Sequence, residues 1–264
     1  MFKPVVDSWD VFDTLVARFG ITPRSVLDLI EAERGLPNFA ERRLRAQATL
    51  DGFGKPYTIE RIYEVLADEI GATHAEQRQL LHMELAAERS QLIPIARQVG
   101  RVKRRDLLIS DMFLGEQHIQ DILTQTCGLT GIRPVVTGNW GKATGTVWDT
   151  IQAHYSIRTH RGDNPGSDIA VPRGRGIACE LVTDHALTAW EKTLSGAGLG
   201  FVALLQREVR LRTNPLGAGS FHDAVLGPYL TILLLFALHL EQDAAERGIE
   251  HYGLLPVSWT RTLS

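Results

Sequence analysis

The sequence predicts an α/β fold with a parallel sheet, a helical insert after the first strand and a helical C-terminal extension. Three observations lead to this prediction. A short apolar segment, Val5–Trp9, ends at Asp10; a long stretch without strand signals follows; and strand-like and helix-like segments then alternate from residue 106 onward. Such alternation is typical of a parallel sheet covered by helices.

The insert is predicted to be helical from about residue 22 to residue 100. Thr22, which precedes a proline, indicates the start of its first helix. Thr58 is predicted to cap a second helix. Thr73 and Glu76 have the spacing of a capping box for a third, long and charged helix. We expect no strand within this segment.

The second half of the chain is predicted to alternate. Strands are expected over 106–110, 133–137, 157–162 and 176–182, with helices over 116–126 and 142–155. From about residue 184 the pattern is mostly helical. Pro228 is predicted to begin a helix that ends near Gly248.

Composition excludes several classes of protein. Of 264 residues, 44% are hydrophobic and 22% are charged, which is ordinary for a globular protein and unlike a disordered or fibrous one. The formal net charge of -3 and the lack of a long basic run argue against a nucleic-acid partner. Two cysteines imply no disulfide framework, so we expect a reducing, cytoplasmic location.

The longest apolar run, 225–240, contains Gly227, Pro228 and His239. It is shorter than the roughly 20 residues that a membrane-spanning helix needs. We expect no membrane span here. A buried helix or a homo-oligomer interface is the better interpretation.

Polar residues follow the predicted strands or begin a helix, where parallel sheets bind their ligands. Asp10 offers a carboxylate that can attack phosphorus, and Ser110 offers a hydroxyl for a phosphate oxygen. Lys142, at the start of a helix, can reach a phosphate as a point charge. Asp163 and Asp168 offer the carboxylate oxygens that magnesium prefers. Taken singly, the first three also fit a turn residue, a helix cap and a solvated lysine.

Together, these residues and their order resemble the four motifs of the haloacid dehalogenase (HAD) superfamily. The resemblance covers residues 5–182 and rests on DVFDTL, LLISDM, the GK…G element and GDNPGSD. It is similar to a branch of HAD-like proteins often found with polysaccharide-biosynthesis enzymes. The resemblance implies a Rossmann-like core in residues 1–18 and 96–185, a helical cap in 19–95 and a helical extension in 186–264.

The resemblance also implies roles, and a small phosphorylated substrate. Asp10 would be the nucleophile and a magnesium ligand. Further ligands or supports of Mg²⁺ would be the main-chain carbonyl of Phe12, Asp163 and Asp168. Ser110 and Lys142 would bind the phosphoryl group, and further substrate contacts would come from Thr14, Asp111 and Asn164.

One position departs from the phosphatase pattern. HAD phosphatases usually have an acid two residues after the nucleophile, as general acid and base, and this chain has Phe12 there. Asp13 follows, where a glycine is common, and is the alternative acid. Dehalogenases of the superfamily also have an aromatic residue at this position, but they tend to lose the acid that Asp163 retains. A phosphatase is therefore favoured, with a catalytically degenerate binding or regulatory module and a 2-haloacid dehalogenase as alternatives.

Two further features are interpreted as structural. His160 precedes the last motif, and a histidine at a strand end is more often part of the packing. Trp140 and Trp148 flank Lys142. Packing of the helix is the favoured role for both, with a pocket wall as the alternative for Trp140.

Overall fold

A computed structural model describes residues 3–132, 134–138, 141–213 and 227–248. Its centre is a five-stranded sheet with strand order β5-β4-β1-β6-β7, in which every neighbouring pair is parallel. The strands in chain order are β1 (Val5–Asp10), β2 (Val16–Arg18), β3 (Leu92–Pro94), β4 (Leu107–Ser110), β5 (Pro134–Val136), β6 (Ser156–Gly162) and β7 (Ala178–Leu181). The predicted α/β class is confirmed.

Helices connect these strands and form the insert and the C-terminal segment. They are α1 (Pro23–Arg34), α2 (Phe39–Asp51), α3 (Ile59–Ile70), α4 (His74–Gln91), α5 (Ala96–Val99), α6 (Glu116–Cys127), α7 (Gly141–Thr144), α8 (Thr146–His154), α9 (Val171–Arg173), α10 (Ala189–Gly196), α11 (Gly200–Thr213) and α12 (Gly227–Arg247). A short π-helical turn, Pro165–Ala170, precedes α9.

β1 is the central strand of the sheet, between β4 and β6. All of its residues except Val5 are buried, as expected for a strand covered on both faces. Trp9 packs in the main core with the insert helices, whereas Ile109 of β4 packs with Trp148 of α8. The strand end at Asp10 is therefore held firmly from both sides of the sheet.

The insert is helical as predicted, with two differences in detail. The capping box of Thr73 and Glu76 is present, while Thr22 and Thr58 precede their helices without a side-chain capping bond. The prediction of a segment without strands is wrong, because β3 pairs antiparallel with β2 at the base of the insert. A three-residue strand carries too little periodicity to be seen, and its partner lies more than seventy residues away.

The helix predicted over 142–155 is interrupted. Gly145 adopts φ 90°, which separates α7 from α8. Left-handed backbone is favoured at glycine and stops a helix. The predicted strand 133–137 corresponds to β5, although Arg133 lies outside the described residues.

The described chain divides into two compact units. One comprises residues up to 187 with the segment from 207, and the other comprises 188–206 with the segment from 227. The second unit has its own apolar cluster, built on Leu194, Val202 and Ala203. The predicted helix from Pro228 to near Gly248 is confirmed by α12.

α12 exposes several large apolar side chains, Tyr229, Ile232, Leu233 and Phe236. A homo-oligomer interface on this helix stays a prediction. Among the residues that the structure describes, no helix has both the length and the apolar character to cross a bilayer.

Candidate active site at the carboxyl edge of the sheet

The polar residues that follow the strands meet at the carboxyl edge of the sheet. β1 ends at Asp10, β4 ends at Ser110, and β6 ends one residue before Asp163. The register aligns Asp10 with Ile109, so the ends of β1 and β4 are nearly level. Carboxylate oxygens of Asp10, Asp163 and Asp168 lie within 4.8 Å of one another. The edge thus joins acids from two separate strand ends.

Lys142 lies between two of these acids. Its side chain is 4% exposed, and Nζ donates to Oδ1 of Asp10 at 2.5 Å and to Oδ1 of Asp168 at 2.7 Å. Trp148 is fully buried on α8 and donates from Nε1 to the carbonyl of Lys142 at 3.3 Å. The predicted packing role of Trp148 is confirmed, and Trp140 lies outside the described residues.

Asp111 holds the segment that carries Lys142. Its carboxylate accepts the backbone N–H of Lys142 at 3.0 and 3.2 Å, and it also accepts the hydroxyl of Thr137. The backbone N–H of Thr137 donates to the carbonyl of Ser110 at 3.0 Å, which ties this segment to β4. Asp111 therefore positions Lys142, and its role as a substrate contact stays a prediction.

Ser110 is buried at the end of β4. Its Oγ accepts the backbone N–H of Met112 at 3.2 Å, which leaves the hydroxyl proton available for another acceptor. A phosphate oxygen is such an acceptor, so the geometry is compatible with the predicted phosphoryl contact.

Asp168 packs against the end of β6 because residue 162 is a glycine. A Cβ atom at Gly162 would overlap the side chain of Asp168. Oδ2 of Asp168 accepts the backbone N–H of Asn164 at 3.1 Å. Oδ1 of Asn164 accepts the N–H groups of Gly166 and Ser167, at 2.8 and 3.1 Å, and so begins the π-helical turn. That oxygen is engaged within the protein, and a substrate contact by Asn164 stays a prediction.

His160 contacts the site, which the sequence analysis did not expect. It is fully buried on β6, with Nδ1 2.9 Å from Oγ of Ser8 and Nε2 3.4 Å from Oδ1 of Asp168. Burial lowers the pKa of His160, which favours the neutral ring. A neutral ring that accepts from Ser8 can donate to Asp168. Strand alternation, which places His160 and residue 162 on one face of β6, was the available signal.

Burial and neighbouring charges both shift the pKa of the acids at this edge. Burial raises the pKa of Asp10 well above its ordinary value, against the opposing effect of Lys142. Burial, together with the carboxylates of Asp13 and Asp168, raises the pKa of Asp163 to about 6. Burial would also raise the pKa of Asp168, but a hydrogen bond from the neighbouring histidine and the charge of Lys142 lower it to about 2. Lys142 stays protonated, because the carboxylates of Asp10 and Asp168 outweigh the effect of burial and raise its pKa.

The loop after β1 turns sharply at Asp13. Its φ of 56° lies in the left-handed region, where glycine is favoured and aspartate is tolerated. This conformation explains how an aspartate occupies a position where HAD proteins commonly have glycine. In the same loop, Oγ1 of Thr14 donates to Oδ2 of Asp10 at 3.3 Å. The ring of Phe12 is buried, with the guanidinium of Arg18 5.0 Å from its centroid.

We refer to Asp10, Asp13, Asp163 and Asp168 as the carboxylate cluster. Lys142 supplies one positive charge against these acids, so the cluster has an excess of negative charge. Oδ1 of Asp13 is also buried, with no hydrogen bond to any described residue. Carboxylate oxygens of this kind are the ligands of hard divalent cations such as magnesium. The donor set therefore fits Mg²⁺.

His185 was also missed from the sequence. Its Nδ1 is buried without a hydrogen bond to the described residues, and His185 partly opposes the rise in the pKa of Asp163. No motif marks it, because it follows the last strand in an irregular segment.

Comparisons with known proteins give distant matches in structure. No family model matches the chain, and no curated protein matches it. A 2-haloacid dehalogenase from Pseudomonas syringae pv. tomato DC3000 is 18% identical over 72% of this chain and 90% of that chain, with a TM-score of 0.46. The L-2-haloacid dehalogenase from Xanthobacter autotrophicus with chloropropionic acid covalently bound is 15% identical over 88% of this chain and 98% of that chain, with a TM-score of 0.46.

A second structure of the Xanthobacter autotrophicus enzyme is 17% identical over 77% of this chain and 88% of that chain, with a TM-score of 0.45. These enzymes belong to the HAD superfamily, which the sequence motifs resemble. Matches this distant have no weight for the chemistry. The finer resemblance to the polysaccharide-associated branch stays a prediction.

Proposed function

We propose that this chain is a magnesium-dependent hydrolase of small phosphate monoesters that forms an aspartyl-phosphate on Asp10. The observation that carries the proposal is the carboxylate cluster with Lys142 inserted in it. Three of its acids have oxygens within 4.8 Å of one another, and Nζ of Lys142 is 2.5 Å from Asp10. Phosphoryl transfer is catalysed mainly by positioning and by charge stabilisation, which this arrangement supplies.

The reaction has two steps at phosphorus. A carboxylate oxygen of Asp10 attacks and forms an O–P bond, while the P–O bond to the alcohol breaks and the alcohol oxygen takes up a proton. Water then attacks the same phosphorus, the bond to Asp10 breaks, and inorganic phosphate leaves. Lys142 and Ser110 bind the phosphoryl oxygens in both steps.

Mg²⁺ would be held by Asp10, Asp163 and the main-chain carbonyl of Phe12, with Asp168 supporting the site. When bound, it neutralises charge on the phosphate and on the carboxylate cluster. Asp13 is the candidate for the proton that the alcohol needs, because its Oδ1 is free of hydrogen bonds to the described residues. The helical insert, residues 19–95, would act as a cap that excludes water.

Phe12 favours a second candidate, 2-haloacid dehalogenation. There Asp10 would attack the carbon that bears the halogen, and halide would leave without a metal ion. The buried ring of Phe12, packed against Arg18, is the supporting observation. The retained Asp163 and Asp168 count against it, because two further acids beside Asp10 offer the oxygen ligands that a divalent cation prefers. A degenerate binding module is the third alternative, and it too rests on Phe12.

A panel of substrates tests the proposal. Acetyl phosphate, 4-nitrophenyl phosphate and alkyl phosphates are assayed with Mg²⁺ and with a chelator, beside chloride release from 2-chloropropionate. We expect hydrolysis of the activated esters only with Mg²⁺, since a good leaving group tolerates a weak general acid. Chloride release in the chelator would favour the dehalogenase. Inactivity on the whole panel, with Mg²⁺ still bound, would favour the binding module.

A further inference from the structure

Ser8 and His160 are two polar residues buried inside the sheet next to the carboxylate cluster. They are cross-strand partners, because the parallel register of β1 and β6 aligns Ser8 with His160. Both side chains are fully buried. Side chains alternate along a strand, so Ser8 lies on the same face of β1 as Asp10. A buried polar pair therefore adjoins the proposed nucleophile on its interior side.

The surroundings of this pair are largely apolar. Trp148 of α8 packs edge-on against the ring of His160, with the ring centroids 4.6 Å apart. Trp148 belongs to a cluster of buried apolar side chains that also contains Ile109 and Ile157. A polar pair in such a layer costs free energy unless its hydrogen bonds are formed, and an apolar pair of similar shape can be as stable. Packing alone therefore does not account for a serine and a histidine here.

The contacts of His160 select one of the two neutral forms of its ring. Nδ1 lies 2.9 Å from Oγ of Ser8, and Nε2 lies 3.4 Å from Oδ1 of Asp168. If Nδ1 carried the proton, the lone pair of Nε2 would face a carboxylate oxygen, and the hydroxyl proton of Ser8 would have no acceptor among the described residues. With the proton on Nε2, Ser8 donates to Nδ1 and His160 donates to Asp168. The geometry therefore favours the Nε2–H form.

Asp168 connects His160 to Lys142. Its Oδ1 accepts Nε2–H of His160 and also accepts Nζ of Lys142, the latter at 2.7 Å. Its Oδ2 accepts the backbone N–H of Asn164 at 3.1 Å. Donors on both oxygens fix the plane of this carboxylate. The ammonium group of Lys142 is thereby held between Asp168 and Asp10.

We infer that Ser8 and His160 are positioning residues for phosphoryl transfer. Ser8 anchors the ring of His160, and His160 orients the carboxylate of Asp168. That carboxylate holds Lys142 where it meets the phosphoryl group of the substrate. Ser8 and His160 act only through Asp168 and Lys142, since both are fully buried. The inference rests on the proposed function, because it takes Lys142 to bind the phosphoryl group.

The first test removes the hydrogen-bond donor at position 160 and then restores it. His160→Leu cannot donate to Asp168, so kcat for 4-nitrophenyl phosphate should fall by about 10- to 100-fold, as is typical when a residue that orients the ligands of a metal site is lost. The rise in KM should be smaller, because a cation aimed at the transferring group contributes most in the transition state. His160→Gln, whose amide N–H can replace Nε2–H, should recover most of the loss.

A purely structural role predicts the opposite order of the two variants. Leucine suits the apolar layer better than glutamine does, so His160→Leu would then be the more stable and the more active variant. The double variant Ser8→Ala with His160→Leu leaves no buried hydroxyl unpaired, so it should fold, as thermal melting would verify, and yet be as slow as His160→Leu. The matched control is Ile157→Val, on the same strand and in the same apolar cluster as Trp148, and its kcat should be that of the wild type.

The second test observes the ring of His160 by nuclear magnetic resonance. In wild-type protein with isotope-labelled histidine nitrogens, the spectrum shows which ring nitrogen carries the proton, and His160→Gln identifies the signals of His160 by their loss. We predict the Nε2–H form in the wild type. The Nδ1–H form, or a kcat of His160→Leu equal to that of an active wild type, would overturn the inference and leave the proposed function intact. If the wild type hydrolyses no ester, the proposed function itself fails, and this inference with it.

Discussion

The molecule buries charged side chains in two neighbouring places, and their charges are balanced in only one of them. At the sheet edge, the carboxylate cluster faces a single lysine, Lys142, which bridges Asp10 and Asp168. Beside the insert helices, a second cluster pairs Arg18 with Glu88 and Arg43 with Glu84, and the Arg43–Glu84 pair is bidentate. One cluster is unbalanced and the other is balanced.

The difference follows from the cost of burying ions. An ion pair can persist in the interior when its partner and its hydrogen bonds compensate for lost hydration. The Arg43–Glu84 pair meets this condition within the protein. The carboxylate cluster does not, and the raised pKa of Asp163 is the consequence. An unbalanced cluster at the ligand-binding edge of a parallel sheet is typical of a functional site whose ligand supplies the missing positive charge.

The largest expected effect is at the nucleophile. Asp10→Asn keeps the shape of the side chain but removes its charge and nucleophilicity. We expect turnover of activated esters to fall by more than about 1,000-fold. Steady-state assays with Mg²⁺ measure this, with circular dichroism to verify the fold. Wild-type turnover in this variant would rule out the covalent mechanism.

The balanced cluster should respond through stability instead. Arg43→Met leaves Glu84 buried without its partner and should lower the free energy of unfolding by about 3–5 kcal/mol. The double variant Arg43→Met with Glu84→Met should recover most of that loss. Urea denaturation of both variants and the wild type provides the comparison. If the double variant is no more stable than the single one, the pair is not the source of the effect.

Lys142→Ala removes the positive charge that lies between Asp10 and Asp168 at the sheet edge. Loss of this cation should reduce turnover by about 100-fold or more, because it stabilises the transferring phosphoryl group. Magnesium affinity should not fall, since the local field becomes more negative. Calorimetric titration with Mg²⁺ and with a metal-fluoride mimic separates the two effects. A greater loss of magnesium than of mimic binding would contradict the assignment.

Asp163→Asn should weaken magnesium binding by at least about tenfold. Without metal, the same change should raise the free energy of unfolding, because it removes one of several repelling charges. The raised pKa of Asp163, from 3.8 to about 6, means that its protonated form stabilises the fold. That stability is present below pH 3.8 and is lost as the pH rises through 6.

In a chelator, the stability of the wild type relative to that of the variant should therefore fall between about pH 4 and pH 6. Denaturation curves across this range measure the difference. Parallel pH profiles for the two proteins would show that Asp163 does not carry the excess charge.

Much of the site was predictable from sequence, because its residues follow strands. The carboxyl ends of parallel strands meet at one edge, so the sequence predicts that Asp10, Ser110 and Asp163 lie together. The role of Asp111 in positioning Lys142 was not predictable, because a loop residue that accepts a backbone N–H gives no periodic signal in the sequence. The break at Gly145 was also missed, since a glycine within a helical pattern is often tolerated.

The buried ion pairs Arg18–Glu88 and Arg43–Glu84 were missed for a different reason. Arg18 belongs to a three-residue strand, and Glu88 lies on a charged helix where most glutamates are solvated. Only the antiparallel pairing of β2 with β3 and the packing of α4 turn these residues inward. Such contacts are tertiary, so neither helical nor strand periodicity reveals them.

The most direct test of the central claim is to trap the covalent intermediate. Wild-type protein is mixed with acetyl phosphate and Mg²⁺, quenched in acid and digested for peptide mass spectrometry, with Asp10→Asn as the control. We predict one phosphoryl group on the peptide that contains Asp10, present with Mg²⁺ and absent with a chelator and in the variant. An Asp10 peptide that instead acquires an ester from 2-chloropropionate in the chelator, and never a phosphoryl group, would contradict the account.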